Sequence, residues 1–353
     1  MSKIAIILIN YKDYAKKYLD DCLESIRRQD FSGEISLYIV DNETSDESFN
    51  YLKDKAPEAI IIKNKNNDGF AKGNNDALKL SIEEGLNYSI LLNMDTISES
   101  NAISEMIKMA ESDESIGVVQ SRLMLWPEKQ KINSIGNDTH FLGFGFCRGY
   151  NDLYKEEDIV DGSNIFYPSG AAVLFKNKVL EEISLFDEKY FMYNEDQDLG
   201  WRTWLAGYKC VLAKNSVVYH KYEFGRSISK YYFMDKNRII TALKNYKIAS
   251  LLIFLPAFVI MEIGLFYFSI KNKWLKEKIR VWKMFFSFSF WRYIRKKRKE
   301  VNVLRKVKDY KILSMISGKI WYQEISSPLL SVANIFLNIY FILAKNLLRL
   351  LNI

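Results

Sequence analysis

Over its first 95 residues the chain changes its apolar period repeatedly, and nothing else in it narrows the fold as far. IAIILIN (4–10), ISLYIVDN (35–42), AIIIKN (59–64) and YSILLNMD (88–95) are short β-rich apolar runs. Between them, YLDDCLESIRRQ (18–29), SDESFNYLKDK (45–55) and GFAKGNNDALKLSIEEG (69–85) carry helical spacing. Strands separated by helical stretches of ten or more residues predict βαβ units, a parallel sheet, and ligands at the carboxyl ends of its strands. Three runs end in polar residues: Asn10, then Asp41 with Asn42, then Asn93 with Asp95. A turn or a helix cap accounts for one such ending; three in one sheet outline a site.

Several nucleotide signatures are absent. No GxGxxG follows the first run and no GxxxxGK[ST] occurs, which excludes a dinucleotide fingerprint and a P-loop. ILINYKDYAKK has no glycine, unlike the glycine-rich loop of sugar nucleotidyl transferases. A nucleotide held here needs its phosphates neutralised in another way, and a divalent metal on a strand-end carboxylate does that. Asp95 is the candidate, although Asp before TISESNAISEMI also reads as a helix cap. A second acidic cluster lies in MYNEDQDLGWR (192–202). Asn194 suits an N-cap, and the acidic first turn suits the helix dipole. Asp198 and Arg202 are four apart and pair along the helix, with Trp201, Trp204 and Leu205 turned inward. Asp196 is left without a structural task.

In order and spacing, six segments resemble the family 2 glycosyltransferases of GT-A fold, and most of all their rhamnosyltransferase-type members. They are ILINYK, VDNETSD (40–46), NNDGFAKGNNDAL (66–78), LLNMD (91–95), YPSGAAVLFKNKVLEEISLFDEKYFMYNEDQDLGWRTWLAGYKC (167–210), and His220 followed by GRS (225–227). The resemblance runs to about residue 225 and says little of the remainder. It implies a GT-A, Rossmann-like α/β fold, a mostly parallel sheet flanked by helices. It also implies inverting transfer of a sugar, rhamnose among the candidates, from a UDP- or dTDP-sugar to a lipid-linked or polysaccharide acceptor in cell-envelope glycan synthesis. On this resemblance Asp95 is the carboxylate of the metal motif and His220 completes the coordination of Mn2+ or Mg2+, hard oxygen ligands with one imidazole suiting either ion. His220 by itself reads as a strand-end histidine closing SVVYH. Asn93 stands where the acidic form of the motif has its first Asp; it can contact ribose or metal-bound water but adds no charge. Asn10, the base-contacting Asp41, and Asn67, Gly69, Asn74 and Asn75 would hold the nucleotide. Asp196 would be the general base, with Glu195 orienting or tuning it. Gly170 and Trp201 fall on the acceptor side, where Trp201 equally reads as core. Residues 1–122 would form a nucleotide-binding half, 123–228 an acceptor-binding half, and 229–353 a separate helical, basic, membrane-associated region.

That last region departs from the rest in composition. The net charge of +7 concentrates in 271–308, and the 22 Phe, 22 Tyr and 7 Trp thicken in the C-terminal third. IASLLIFLPAFVIMEIGLFYFSI (248–270) and PLLSVANIFLNIYFILAKNLLRLL (328–351) flank the basic stretch, so anionic membrane lipid is a better partner for it than nucleic acid. Keeping Lys and Arg on the cytoplasmic side favours a peripheral, monotopic placement on the cytoplasmic face of the cell membrane, with VWKMFFSFSFWRYI (281–294) lying flat. MSKIAIILINYKD is too short an apolar run for a signal peptide, and three widely spaced cysteines suit a reducing compartment. A glycosidase would need two carboxylates but no metal aspartate or nucleotide loop. A nucleic-acid binder would interleave basic and stacking residues in the first domain, which this chain does not. The alternative is a catalytically weak, nucleotide-sugar-binding scaffold of an envelope assembly; Asp95, Asp196 and His220 together argue against it.

Overall fold

The computed structural model describes residues 2–222, 228–321 and 328–353, so the GRS stretch at 225–227 lies outside the described residues. The chain sorts into two compact units that interleave along the sequence. One comprises Met1–Asn137, Cys147–Thr203 and Tyr208–Glu223; the other comprises Asp138–Phe146, Trp204–Gly207 and Phe224–Ile353.

In chain order the elements of the first unit begin with β1 (Lys3–Tyr11), α1 (Tyr14–Arg27), β2 (Glu34–Asn42), α2 (Asp46–Lys55), β3 (Ile60–Asn64), α3 (Gly69–Glu83) and β4 (Tyr88–Leu92). Then come β5 (Thr96–Ser98), α4 (Ala102–Glu111), β6 (Ile116–Leu125) and β7 (Ile132–Ser134); the two-stranded pair that follows, β8 (Asn137–Thr139) with β9 (Gly145–Cys147), belongs for the most part to the second unit. β10 (Ala172–Lys176), α5 (Asn177–Ile183), α6 (Glu195–Leu205) and β11 (Lys209–His220) complete the series. The sheet runs β3-β2-β1-β4-β10-β6-β11-β5, with β7 on β6. It is parallel except for β10, which enters antiparallel between β4 and β6, and the short β5 and β7. β1 is buried along nearly its whole length, because helices cover both faces of a central parallel strand; that is why it reads as an unbroken apolar run. Ile6, Leu8, Leu19, Leu23, Ile39 and Met106 are among the side chains of the core. From β1 the chain steps out to β2 and β3 and returns through α3 to β4 on the other flank of β1, so the ends of β1, β2 and β4 share one crevice.

Asp95 is not a helix cap. Thr96–Ser98 is held as strand by pairing with Val218–His220, and α4 begins only at Ala102.

The second unit carries α7 (Ile228–Asn245), α8 (Ile248–Lys271), α9 (Leu275–Lys283), α10 (Phe288–Leu304), α11 (Asp309–Ile312) and α12 (Pro328–Leu350). The run 281–294 is broken: α9 ends at Lys283, Met284–Phe286 forms a 3-10 turn, and Ser287 Oγ accepts the Phe290 N–H at 3.4 Å to start α10. α8 and α12 have the length and apolar composition of a bilayer crossing. Phe141, from the hairpin segment of this unit, packs its ring 5.2 Å from Phe254 and 5.4 Å from Phe341, and its carbonyl accepts from the Tyr246 hydroxyl at 3.1 Å.

Candidate active site

At the ends of β1 and β2 the register places Asn10 opposite Asp41. Asn10 Nδ2 donates to Asp41 Oδ1 at 2.7 Å, and Ser48 Oγ donates to Asp41 Oδ2 at 2.7 Å. Both carboxylate oxygens are thus engaged on a wholly buried side chain. A cleft of about 200 Å³ opens above it, lined among others by Asn10, Lys12, Asp13, Ser45, Ser48 and Tyr51. Asp41 therefore lies beneath the cleft, and the groups it holds are the ones a ligand meets. A wider hollow of about 480 Å³, between Phe31 and α4, contains no strand-end residue and has no part in the site.

Asn67 Oδ1 accepts the Gly69 N–H at 3.0 Å, folding the turn into α3. Gly69 has φ +80°, and a Cβ there would lie 2.5 Å from the Phe191 carbonyl oxygen, so the position excludes a side chain twice over. Ala71 N–H donates to the same Phe191 oxygen at 3.1 Å, tying this turn to the segment before α6. Asn74 and Asn75 are buried, with their amides bonded inside the protein. Asn74 Nδ2 donates to the Phe70 carbonyl at 2.9 Å within the helix. Asn75 exchanges a pair of hydrogen bonds with the Phe186 backbone, at 2.9 and 3.0 Å.

Past β4, Asp95 Oδ1 lies 3.2 Å from His220 Nε2, both side chains being largely buried. His220 Nδ1 is 2.9 Å from Asn133 Oδ1, which can only accept, so Nδ1 carries the proton. Nε2 then faces Asp95 Oδ1, a buried oxygen that meets no donor unless Nε2 also carries a proton. Two acceptors facing each other require a proton or a cation between them, and the donor set of one carboxylate and one imidazole fits Mn2+ or Mg2+. Among the described residues no third His, Cys, Asp or Glu joins them, so further ligands would come from substrate and water. Burial works against the charge on Asp95, but donation from a protonated His220 and from the Tyr14 hydroxyl outweighs it and holds its carboxyl below the usual range. Tyr14 and Asn133 had no signal in the sequence. Asn93 keeps its side chain half-exposed and free of hydrogen bonds among the described residues, while its N–H donates to the Ala171 carbonyl at 3.0 Å.

The next residue back from Ala171 reaches the other carboxylate. The Gly170 N–H bonds to Asp196, and a Cβ on Gly170 would meet the Phe70 ring at 2.8 Å. The Gly170–Ala171 step thus joins the Asn93–Asp95 turn to the start of α6. Gln120, buried in β6, accepts the Ser169 N–H at 2.7 Å and fixes this loop from below. Ahead of α6, Phe191, Tyr193 and Asn194 all have φ between 64° and 67°, a strained entry for non-glycine residues. Asn194 is not the N-cap acceptor expected: its Nδ2 donates to Gln197 Oε1 at 2.6 Å, and Asp196 Oδ1 accepts the Gln197 N–H at 2.7 Å instead. Burial pushes the Asp196 carboxyl up to about 6, against the pull of the Gln197 and Gly170 N–H groups. Burial and then the neighbouring Asp196 drive Glu195 well above the ordinary range, and Glu195 Oε2 is buried without a partner among the described residues. Asp198 and Arg202 form the expected pair at 3.0 Å, fully buried, and Arg202 also donates to the carbonyls of Ile183, Ser184 and Leu185. Trp201 is not an acceptor contact: it is 0% exposed, its ring edge-on to Phe166 at 5.3 Å.

Solved structures share this fold. GalNAc-T7 with UDP, GalNAc and Mn2+ superposes with a TM-score of 0.52 at 11% identity, over 68% of this chain and 47% of that one. Staphylococcus aureus TarS 1–349 in complex with UDP gives 0.50 at 14% identity, over 98% of this chain and 91% of that one. TarS itself gives 0.50 at 15% identity, with 55% of its length covered. The chain thus spans about half the length of GalNAc-T7 and of TarS, and at these identities the likeness is one of fold. No curated protein matches the sequence. The model of one family, glycosyl transferase family 2, matches residues 5–184, a span that takes in β1 to α5 and stops short of Asp196 and His220. With more than half of the chain so matched, the protein belongs to glycosyl transferase family 2.

Proposed function

We propose that the protein is an inverting, metal-dependent hexosyltransferase that moves a sugar from a UDP- or dTDP-sugar to a lipid-linked or polysaccharide acceptor of the cell envelope, rhamnose being the sugar first tested. The observation that carries the reading is the Gly170–Ala171 step, bonded on one side to the Asn93–Asp95 turn and on the other to Asp196. It brings the Asp95–His220 pair and a carboxylate of raised proton affinity onto neighbouring loops. The UDP and Mn2+ in the similar structures support the donor and the cation.

In this reading residues 1–122 hold the nucleotide and 123–228 the acceptor. The cleft at Asn10 and Ser48 takes the base, and Asp41 keeps both side chains in place. Asp95 and His220 would hold a divalent cation, which supplies charge neutralisation for the departing diphosphate. Asp196, ionised above about pH 6, accepts the proton of the acceptor hydroxyl as it attacks from the face opposite the diphosphate. Glu195, protonated beside it, adds no competing charge. Gly170 serves the acceptor side through its N–H, which bonds to Asp196. The helical region 229–353 associates with anionic lipid on the cytoplasmic face of the membrane.

The test is a panel of UDP- and dTDP-sugars, with Mn2+, Mg2+ or chelator, read by thermal shift and nucleotide release. Metal-dependent stabilisation and release by one donor, both lost in Asp95→Ala, is the expected result. Stabilisation without release from any donor, whatever acceptor is offered, would leave the scaffold reading in place.

A further inference from the structure

We infer that α8 and the turn between α9 and α10 form a lipid-facing surface that lies along an anionic bilayer and does not cross it. The inference rests on the membrane association proposed above and assigns its geometry. α8 is amphipathic in the reverse sense. Its buried side chains are Ser250, Phe254, Ala257, Glu262 and Ser269, three of them polar, whereas Ile248, Leu252, Leu255, Val259, Ile263 and Tyr267 are apolar and exposed. A helix on a soluble unit presents the contrary pattern.

Glu262 explains the inversion. Its carboxylate accepts from Arg238, from Lys278 Nζ at 2.6 Å and from Trp282 Nε1 at 2.8 Å. Asp235 closes the set, bonded to Arg238 Nε at 2.9 Å and Lys278 Nζ at 2.8 Å. Two carboxylates and two cations, all buried, pin the middle of α8 to α7 and α9. A perpendicular crossing would carry that middle to the centre of the hydrocarbon. With it would go α7 and α9 and their further charges, among them Lys236, Lys276, Glu277 and Arg280, which is prohibitive without water. Lying along the interface leaves α7 and α9 on the water side and gives the acyl chains only the apolar stripe.

Two other features point to the same occupant. Phe286 and Phe288, on either side of Ser287, are 86% and 82% exposed, with Phe285, Phe290 and Trp291 packed ring against ring beside them. Residues 271–308 hold fifteen Lys and Arg against two Glu, a charge that anionic headgroups attract and a second copy of the chain would repel.

The experiment uses the full chain with vesicles of phosphatidylcholine alone or mixed with phosphatidylglycerol. Nitroxides are placed in turn at Leu252→Cys, Val259→Cys and Tyr267→Cys in a Cys147→Ser background, Cys22 and Cys210 being buried. Collision with oxygen and with a water-soluble nickel complex then reports the depth of each label. Equal, shallow depths at all three sites on the anionic vesicles are expected. A depth that peaks at Val259 and falls at both ends would establish a crossing and overturn the inference, leaving membrane association intact. Failure to bind either vesicle would remove the association and the inference with it. Labels shielded without vesicles, in a dimer seen by light scattering, would give the surface to a second copy and also overturn it. Phe286→Ser with Phe288→Ser, at two side chains too exposed to support the fold, should weaken binding to anionic vesicles by at least about tenfold; unchanged binding would remove the turn from the surface.

Discussion

Glu195, buried, and Asp196, partly exposed, are adjacent carboxyls and titrate as a pair. The folded chain binds a proton at Asp196 more tightly than the unfolded chain does, so stability falls as pH rises from the ordinary carboxyl range through about 6. Asp196→Asn abolishes that loss. We expect its melting temperature to exceed the parent's at neutral pH and the gap to close near about pH 4, while sugar transfer drops by roughly 10²–10⁴-fold with nucleotide binding retained. A variant no more stable than the parent, or one that turns over normally, would count against the base. In the parent, turnover should decline as pH falls through about 6, because protonation removes the acceptor of the proton. Asn133 offers a second residue-scale test. It fixes the His220 ring through Nδ1, so Asn133→Leu frees the ring to turn and should weaken Mn2+-dependent nucleotide binding by about 10–100-fold in calorimetry, with metal-free binding unchanged.

α6 depends on one side chain more than on its own cap. Arg202 neutralises the buried Asp198 and holds three successive carbonyls of the loop after α5, so Arg202→Met strands a charge and three acceptors. A loss of about 3–5 kcal/mol in urea unfolding is expected. The Asp198–Arg202 pair was legible because four-residue spacing is a local rule. β1 to β4 and α1 to α3 were legible for a related reason: strands covered on both faces show as continuous apolar runs, and helices by their period. What escaped the sequence is set by partners far away. β10 is antiparallel, and Thr96–Ser98 is a strand, only through pairing with strands distant in sequence. Asn133 meets His220 across 87 residues. The internal task of Asp41 follows from its register with Asn10, and Asn194 looked like an N-cap because composition does not reveal a φ of 64°.

The two units interleave, and a single cut cannot separate them. A chain ending at residue 228 keeps the 138–146 hairpin but lacks Tyr246, Phe254 and Phe341, against which Phe141 packs. We expect that shortened chain to aggregate on size-exclusion chromatography, and Phe141→Ser in the same background to move it toward the monomer; a monodisperse shortened parent would show the hairpin to be dispensable. The same arrangement has a consequence on the ribosome. Phe341 follows Phe141 by about 200 residues, so at roughly 5–20 residues per second the hairpin waits on the order of 10–40 s for its last partner. Throughout that interval Phe141 lacks the rings it packs against, which leaves an apolar side chain open to a chaperone during translation.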